Sequence, residues 1–275
     1  MSDEAYPWHV RLKSATRHLD QLQADVDAYL ATDPFHVAVQ QENVKRVGGV
    51  GSYEIAFYAS IHSEPPDEIS EGVFVVGESL RSCLELVTTA LAEKHSGPLS
   101  EPQARSVGFP VKLTSEAYFG KNNNEVPRSI RFLEPPAQTV VAQLQPFQGQ
   151  DPAPRHPLAV LDVLRERNFH RSRLLAVSIG GITNTGITYA NGGASLYFPG
   201  PASRPPAFRT GDEVQRLQVA INRPDTEMDL TWTPPVFLLS FAPDGPGDGA
   251  TVMPTLGRIR DHLRDVVFPA LEQFA

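Results

Sequence analysis

The period at which apolar residues recur changes along the 275 positions of this chain, and that change limits its fold more than any single motif does. Between 8 and 30, Leu12, Ala15, Leu19, Leu22, Val26 and Tyr29 return every three or four residues, which lines one face of an α-helix. Asp33-Pro34 stops this helix, because the residue before a proline is pushed out of the helical region. From 35 to 61 the period becomes two. Phe35, Val37 and Val39, then Tyr53, Ile55, Phe57, Ala59 and Ile61, alternate with polar residues on either side of Gly48-Gly49-Val50-Gly51, which predicts a two-stranded hairpin. After Pro65-Pro66 the helical spacing returns from 73 to 91 and closes at His95-Ser96-Gly97-Pro98.

Residues 97 to 136 are rich in Gly, Pro and Asn, including Lys121-Asn122-Asn123-Asn124, and predict a mostly exposed connection lying over the core. Helices are expected over 135–144 and, after a Pro-rich bridge at 150–157, from Pro157 through Leu158, Val160, Leu161 and Leu164. From Arg173 the chain alternates again, broken by Gly180-Gly181, Asn191-Gly192-Gly193 and Pro205-Pro206. This predicts strands near 173–180, 185–190, 194–198, 214–221 and 235–241. A last helix over 255–274 carries Leu256, Ile259, Leu263, Val266, Val267 and Leu271 on one face. Strand and helix do not alternate in this order, which argues against a doubly wound parallel sheet. The expected fold is α+β: a helical core with an N-terminal β-hairpin and a C-terminal antiparallel sheet, closed by a C-terminal helix. A single domain over 1–275 is expected, with 1–172 (mainly helical, with the hairpin) and 173–275 (sheet plus final helix) as its sub-division.

A net charge of -8 and a pI near 5.5 argue against a chain that grips nucleic acid over its whole surface, and leave room only for a local basic groove. The N-terminus is acidic where a secretory signal is basic and then apolar, and no run reaches the roughly 18 apolar residues of a membrane span. The expectation is a soluble, cytoplasmic protein with no membrane partner. The single Cys83 excludes an intramolecular disulfide and a multi-cysteine zinc site, and its apolar helical setting makes it a small core residue. No dinucleotide or Walker glycine loop and no H-E-x-x-H is present, and Ser79 and Ser82 sit in no nucleophile elbow. His36, His62, His95 and His156 stand apart in the sequence without a partner at ligand spacing, so neither a metal nor a cofactor is expected.

Two helical segments carry the polar side chains from which a site would be built. Arg81 and Glu85 are four apart, which also makes an ordinary intrahelical ion pair, and His170-Arg171 falls where cations complement a helix C-terminus. The first segment, Leu80-Arg81-Ser82-Cys83-Leu84-Glu85-Leu86-Val87, resembles the L-R-S-A-L-D-H-L helix of a group of uncharacterised bacterial and phage-borne proteins. The second, Pro157-Leu158-Ala159-Val160-Leu161-Asp162 continuing to Asn168-Phe169-His170-Arg171, resembles that group's P-L-W-L-L-H-E-L-S-N-I-D-K-H-R-L-L, with the Pro-to-His spacing kept. Phe109-Pro110-Val111 and Gln145-Pro146-Phe147 are similar to its F-P-I and Q-P-Y, so the resemblance spans about 35–175.

In that group an Arg followed five residues later by a His resembles the pattern of HEPN-type ribonucleases, which act on the RNA 2′-hydroxyl and phosphate without metal. A neutral imidazole takes the 2′-OH proton near neutral pH while a guanidinium holds the phosphate. This chain keeps Arg81 but has Leu86 at the His position, and Asn168-Phe169 replaces Asp-Lys ahead of His170-Arg171. The resemblance therefore implies a non-catalytic binding or regulatory protein. Its alternative is a metal-independent ribonuclease, or another phosphate-directed enzyme, built from Arg81, Glu85, His170 and Arg171. The partner classes are another copy of the chain and RNA or a nucleotide at a local site.

Overall fold

In the computed structural model of the chain, which describes residues 6–121, 125–149, 152–166, 175–179, 185–190, 194–197, 208–223, 227–232, 237–242, 247 and 249–275, the first apolar stripe folds into α1 (Pro7–Leu30). Trp8, Leu12, Ala15, Leu19, Leu22 and Val26 are buried along it. The hairpin follows as β1 (Phe35–Val47) and β2 (Val50–Ile61). Gly48 and Gly49 turn it with φ of 62° and 84°, a left-handed pair that matches the twist of the flanking strands and that side chains disfavour. Helix α2 (Asp67–Ser96) begins ahead of its apolar run. Asp67 and Glu68 meet the positive end of its dipole, Lys94 and His95 the negative end, and Gly97 at φ 76° closes it by donating its N–H to the Glu93 carbonyl.

The stretch 97–136 departs from the expected exposed connection. It holds α3 (Glu101–Ser106) and α4 (Ser115–Phe119), and Phe109, Val111, Tyr118, Ile130 and Leu133 are buried. Isolated apolar residues between prolines and glycines carry no period, so their role as core anchors depends on what packs above them. Two further helices, α5 (Pro135–Gln143) and α6 (Pro157–Glu166), form as predicted. Helices α2 and α6 pack together and both meet α7 (Val252–His262), whose Leu256 and Ile259 are fully buried.

The closing helix is not uniform. Between α7 and α8 (Phe268–Glu272) the turn Leu263–Val267 is a π-helix, in which the Phe268 N–H reaches back to the Leu263 carbonyl. Pro269 lies just beyond it. A proline ring clashes with the carbonyl four residues earlier in an α-helix, and widening the preceding turn relieves the clash. The extra residue rotates the apolar face, so Val266, expected to face inward, is 45% exposed, while Val267, Phe268 and Leu271 are buried.

The remaining strands are β3 (Leu175–Ile179), β4 (Thr185–Ala190), β5 (Ala194–Tyr197), β6 (Glu213–Ile221), β7 (Glu227–Trp232) and β8 (Phe237–Phe241). Among the described residues all pairings are antiparallel: a four-stranded sheet in the order β1-β2-β6-β5, and the pairs β3-β8 and β4-β7. Strand β7 was not expected, because its Glu-Met-Asp opening lacks the apolar alternation that marks a strand; it pairs with β4. The fold is thus α+β, with helical core, N-terminal hairpin, antiparallel sheet and closing helix.

Contacts divide the chain into two compact units. One comprises Met1–Asp27, Pro66–Leu174 and Asp244–Ala275, and the other Ala28–Pro65 and Leu175–Pro243. The hairpin therefore belongs with the late strands. Tyr53, Ile55 and Phe57 of β2 and Leu217, Val219 and Ile221 of β6 share one buried cluster with Val37. On β6 Arg216 gathers three carboxylates: it contacts Glu213, and its Nη1 lies 2.8 Å from Glu42 and 2.6 Å from Glu54, which face each other across β1 and β2. Hydrogen bonds from Tyr58 and Arg216 hold Glu42 below its ordinary value of 4.5, and those from Asn43 and Arg216 do the same for Glu54. A depressed folded-state pKa contributes stability that is present above the ordinary value and lost as pH falls through the folded one. Urea unfolding of the sheet is thus expected to weaken from pH 5 towards more acid conditions, and Arg216→Ala to flatten that slope. An unchanged slope in Arg216→Ala would assign the acid sensitivity elsewhere.

Candidate functional site

Residues 78, 81, 82 and 85 share one face of α2 because they are spaced by three and four. In the helical unit that face opens on a cleft of about 500 Å³, walled by Glu78, Arg81, Ser82 and Glu85 from α2, by 106–112 and Ser129, and by Asp162 and Arg165 from α6. Arg81 lies at its base and is only 6% exposed. Its Nε donates to Glu85 Oε1 at 3.0 Å and its Nη2 to the Phe109 carbonyl at 2.6 Å. Its Nη1 faces Asp162 Oδ1 at 3.4 Å, near enough for charge attraction but with no hydrogen bond formed. Arg165 extends the cluster, with Nη1 3.9 Å from Glu85 Oε1. Gly108 makes room for it, since a Cβ there would stand 2.8 Å from Glu85 Oε2.

The i,i+4 pair of Arg81 and Glu85 is therefore present, and it is larger than a helix-surface pair. Asp162, which sequence reading left outside the site, and the Phe109 carbonyl complete it. Both come from the segments that carried the family resemblance, but nothing local marks either as a partner of Arg81. Among the described residues the cleft lining carries Arg81, Lys112 and Arg165 against Glu78, Glu85 and Asp162, so their charges balance and they set up no net positive field that draws a phosphate. Among the described residues no histidine lines it. His170 and Arg171 lie outside the described residues, as do Asn168 and Phe169.

Leu86 is half-buried and does not line the cleft. A residue five on from Arg81 sits roughly 140° around the helix from it. Cys83 is fully buried, and burial pushes its thiol up to about 12, consistent with an unreactive core residue.

Three of the four histidines expected to stand alone meet another histidine. His156 is buried and meets His262 of α7 edge-on, with ring centroids 4.9 Å apart, and its Nδ1 accepts from the Leu158 N–H at the start of α6. Burial, with His156 and Arg258 nearby, pushes His262 down to about 4, so His262 is uncharged near neutral pH. His36 and His62 meet across the hairpin. Neither pairing is readable from spacing, because each joins residues far apart in the chain. No group of three or more His, Cys, Asp or Glu side chains suited to a metal occurs among the described residues, and no helix among them is long and apolar enough to cross a membrane.

No protein-family model, curated protein or solved structure matches the chain.

Proposed function

We propose that the chain is a non-catalytic binding or regulatory protein that keeps the helix scaffold of the HEPN-like family it resembles and has lost the proton-transfer group. The observation that carries this reading is the state of Arg81. A guanidinium that holds a reacting phosphate offers it a two-pronged face of N–H groups, whereas Arg81 is buried, spends Nε on Glu85 and Nη2 on the Phe109 carbonyl, and keeps only Nη1 unbonded, facing Asp162. The Glu78, Glu85 and Asp162 carboxylates offset the three cations of the described lining, which therefore gives a phosphate no net attraction. General acid–base groups contribute about a hundred- to ten-thousandfold in such reactions, and the helix position that supplies one in the family is Leu86.

On this reading the protein works in the cytoplasm of a bacterium, self-associates or binds RNA or a nucleotide locally, and cleaves nothing. A lone, buried cysteine suits a reducing compartment. The test is incubation of the purified protein with RNA in the presence and absence of EDTA. No cleavage is expected. Robust EDTA-resistant cleavage that His170→Ala abolishes while leaving the fold intact would overturn the reading and make His170 a general base. Binding is read separately, by titrating labelled RNA and mononucleotides against the wild type and Arg165→Glu, because Arg165 is the half-exposed cation at the cleft. Saturable binding that Arg165→Glu weakens supports a ligand in the cleft; binding that it leaves unchanged moves the ligand elsewhere.

A further inference from the structure

We propose that His36 and His62 form a two-histidine site for a late first-row divalent cation, copper(II) or zinc(II), at the base of the hairpin. Alternation along β1 sends Phe35 and Val37 into the core and His36 to the opposite face. On β2 the same alternation buries Ala59 and turns Ser60 outward. The register pairs Phe35 with Ile61 and His36 with Ser60, and the His62 N–H donates to the Pro34 carbonyl at 2.8 Å, carrying the ladder one step beyond the strand. His62 is thereby the diagonal neighbour of His36 on the outward face, within reach of a long side chain. The rings lie within 17° of parallel with centroids 4.3 Å apart, and Nδ1 of His36 meets Nε2 of His62.

Both residues are exposed, so an ion reaches them without opening the core. Without a metal, two neutral imidazoles in this contact must share a proton, one donating and the other accepting. A cation takes both lone pairs once the donating ring moves that proton to its other nitrogen, so both ligands stay neutral imidazoles. Zinc–nitrogen bonds of about 2.0 Å at a tetrahedral angle set the two nitrogens roughly 3.3 Å apart. The rings reach this spacing by swinging outward into solvent, since neither is packed in the core. Imidazole nitrogen favours copper and zinc over magnesium and calcium, which take oxygen. With no third donor in the cluster among the described residues, water fills the remaining positions, and the affinity is lower than that of a closed three- or four-ligand site. Because the donors come together only when β1 and β2 pair, the metal binds the folded hairpin alone and stabilises it by mass action.

The experiment is calorimetric titration of untagged, EDTA-stripped full-length protein with copper(II) and with zinc(II), alongside thermal melts with and without each ion. His36→Ala, His62→Ala and the double variant are compared with His95→Ala, an exposed histidine elsewhere that controls for the chain's other imidazoles. One ion per chain, a higher melting temperature with metal, and at least about tenfold weaker binding in either single variant are expected, with His95→Ala unchanged. Absence of saturable binding by the wild type, equal affinity and stoichiometry in the double variant, or equal competition by magnesium would each overturn the site.

Discussion

Replacing Arg81 by alanine is expected to lower the stability of the helical unit by roughly 3 kcal/mol, because it leaves a half-buried acidic pair and a buried carbonyl without their cation. Arg81 joins α2 to the Phe109 segment and to α6 at once, so its removal loosens three pieces of chain rather than one side-chain contact. Asp162, with its side chain 24% exposed, bears most of the loss; Glu85, at 35%, turns more readily to water. For a chain of this size the change corresponds to a melting temperature lower by about 6–10 °C. Arg81→Lys is expected to recover less than half of it, since an ammonium on a flexible stem cannot span Glu85, Asp162 and the Phe109 carbonyl as the planar fork does. Helix circular dichroism during urea unfolding measures both variants. A loss below about 1 kcal/mol in Arg81→Ala would return the guanidinium to ligand binding and undercut the non-catalytic reading.

Trp8→Ala is expected to cost about 3–5 kcal/mol, the range for removing a large aromatic from a packed interior. Trp8 is 1% exposed, stacks under Tyr6 at 4.4 Å, and its Nε1 donates to Glu272 Oε1 at 2.9 Å, which ties the start of α1 to α8. His9 contacts the same carboxylate at 2.5 Å, so the two ends of the chain are joined within one unit. Trp8→Phe keeps a ring in the site but loses the indole donor, and about 1–2 kcal/mol is expected. Urea unfolding of both variants checks the pair, and equal losses would show that the hydrogen bond to Glu272, rather than ring burial, holds the termini together.

What could be read from the order of residues is what depends on near neighbours. The stripe from Leu12 to Tyr29 makes a helix wherever it lies, because side chains three and four apart share a face. Gly48-Gly49 turns a hairpin without help from the rest of the chain, and Pro157 starts a helix by its own geometry. The i,i+4 pair of Arg81 and Glu85 was legible for the same reason.

Three-dimensional packing decided the rest. Strand β6, more than a hundred and fifty residues beyond the hairpin, sits between β2 and β5, since an edge accepts any strand whose apolar face matches. Phe109, Ile130 and Leu133 are anchors only because the folded chain buries them. A single π-turn ahead of Pro269 exposes Val266, although its spacing points inward. The chemistry of the molecule follows the same division. Asp162 reaches Arg81 only when α6 packs on α2, and His36 meets His62 only when β1 and β2 align, because sequence periodicity specifies a face and not what another element brings to it.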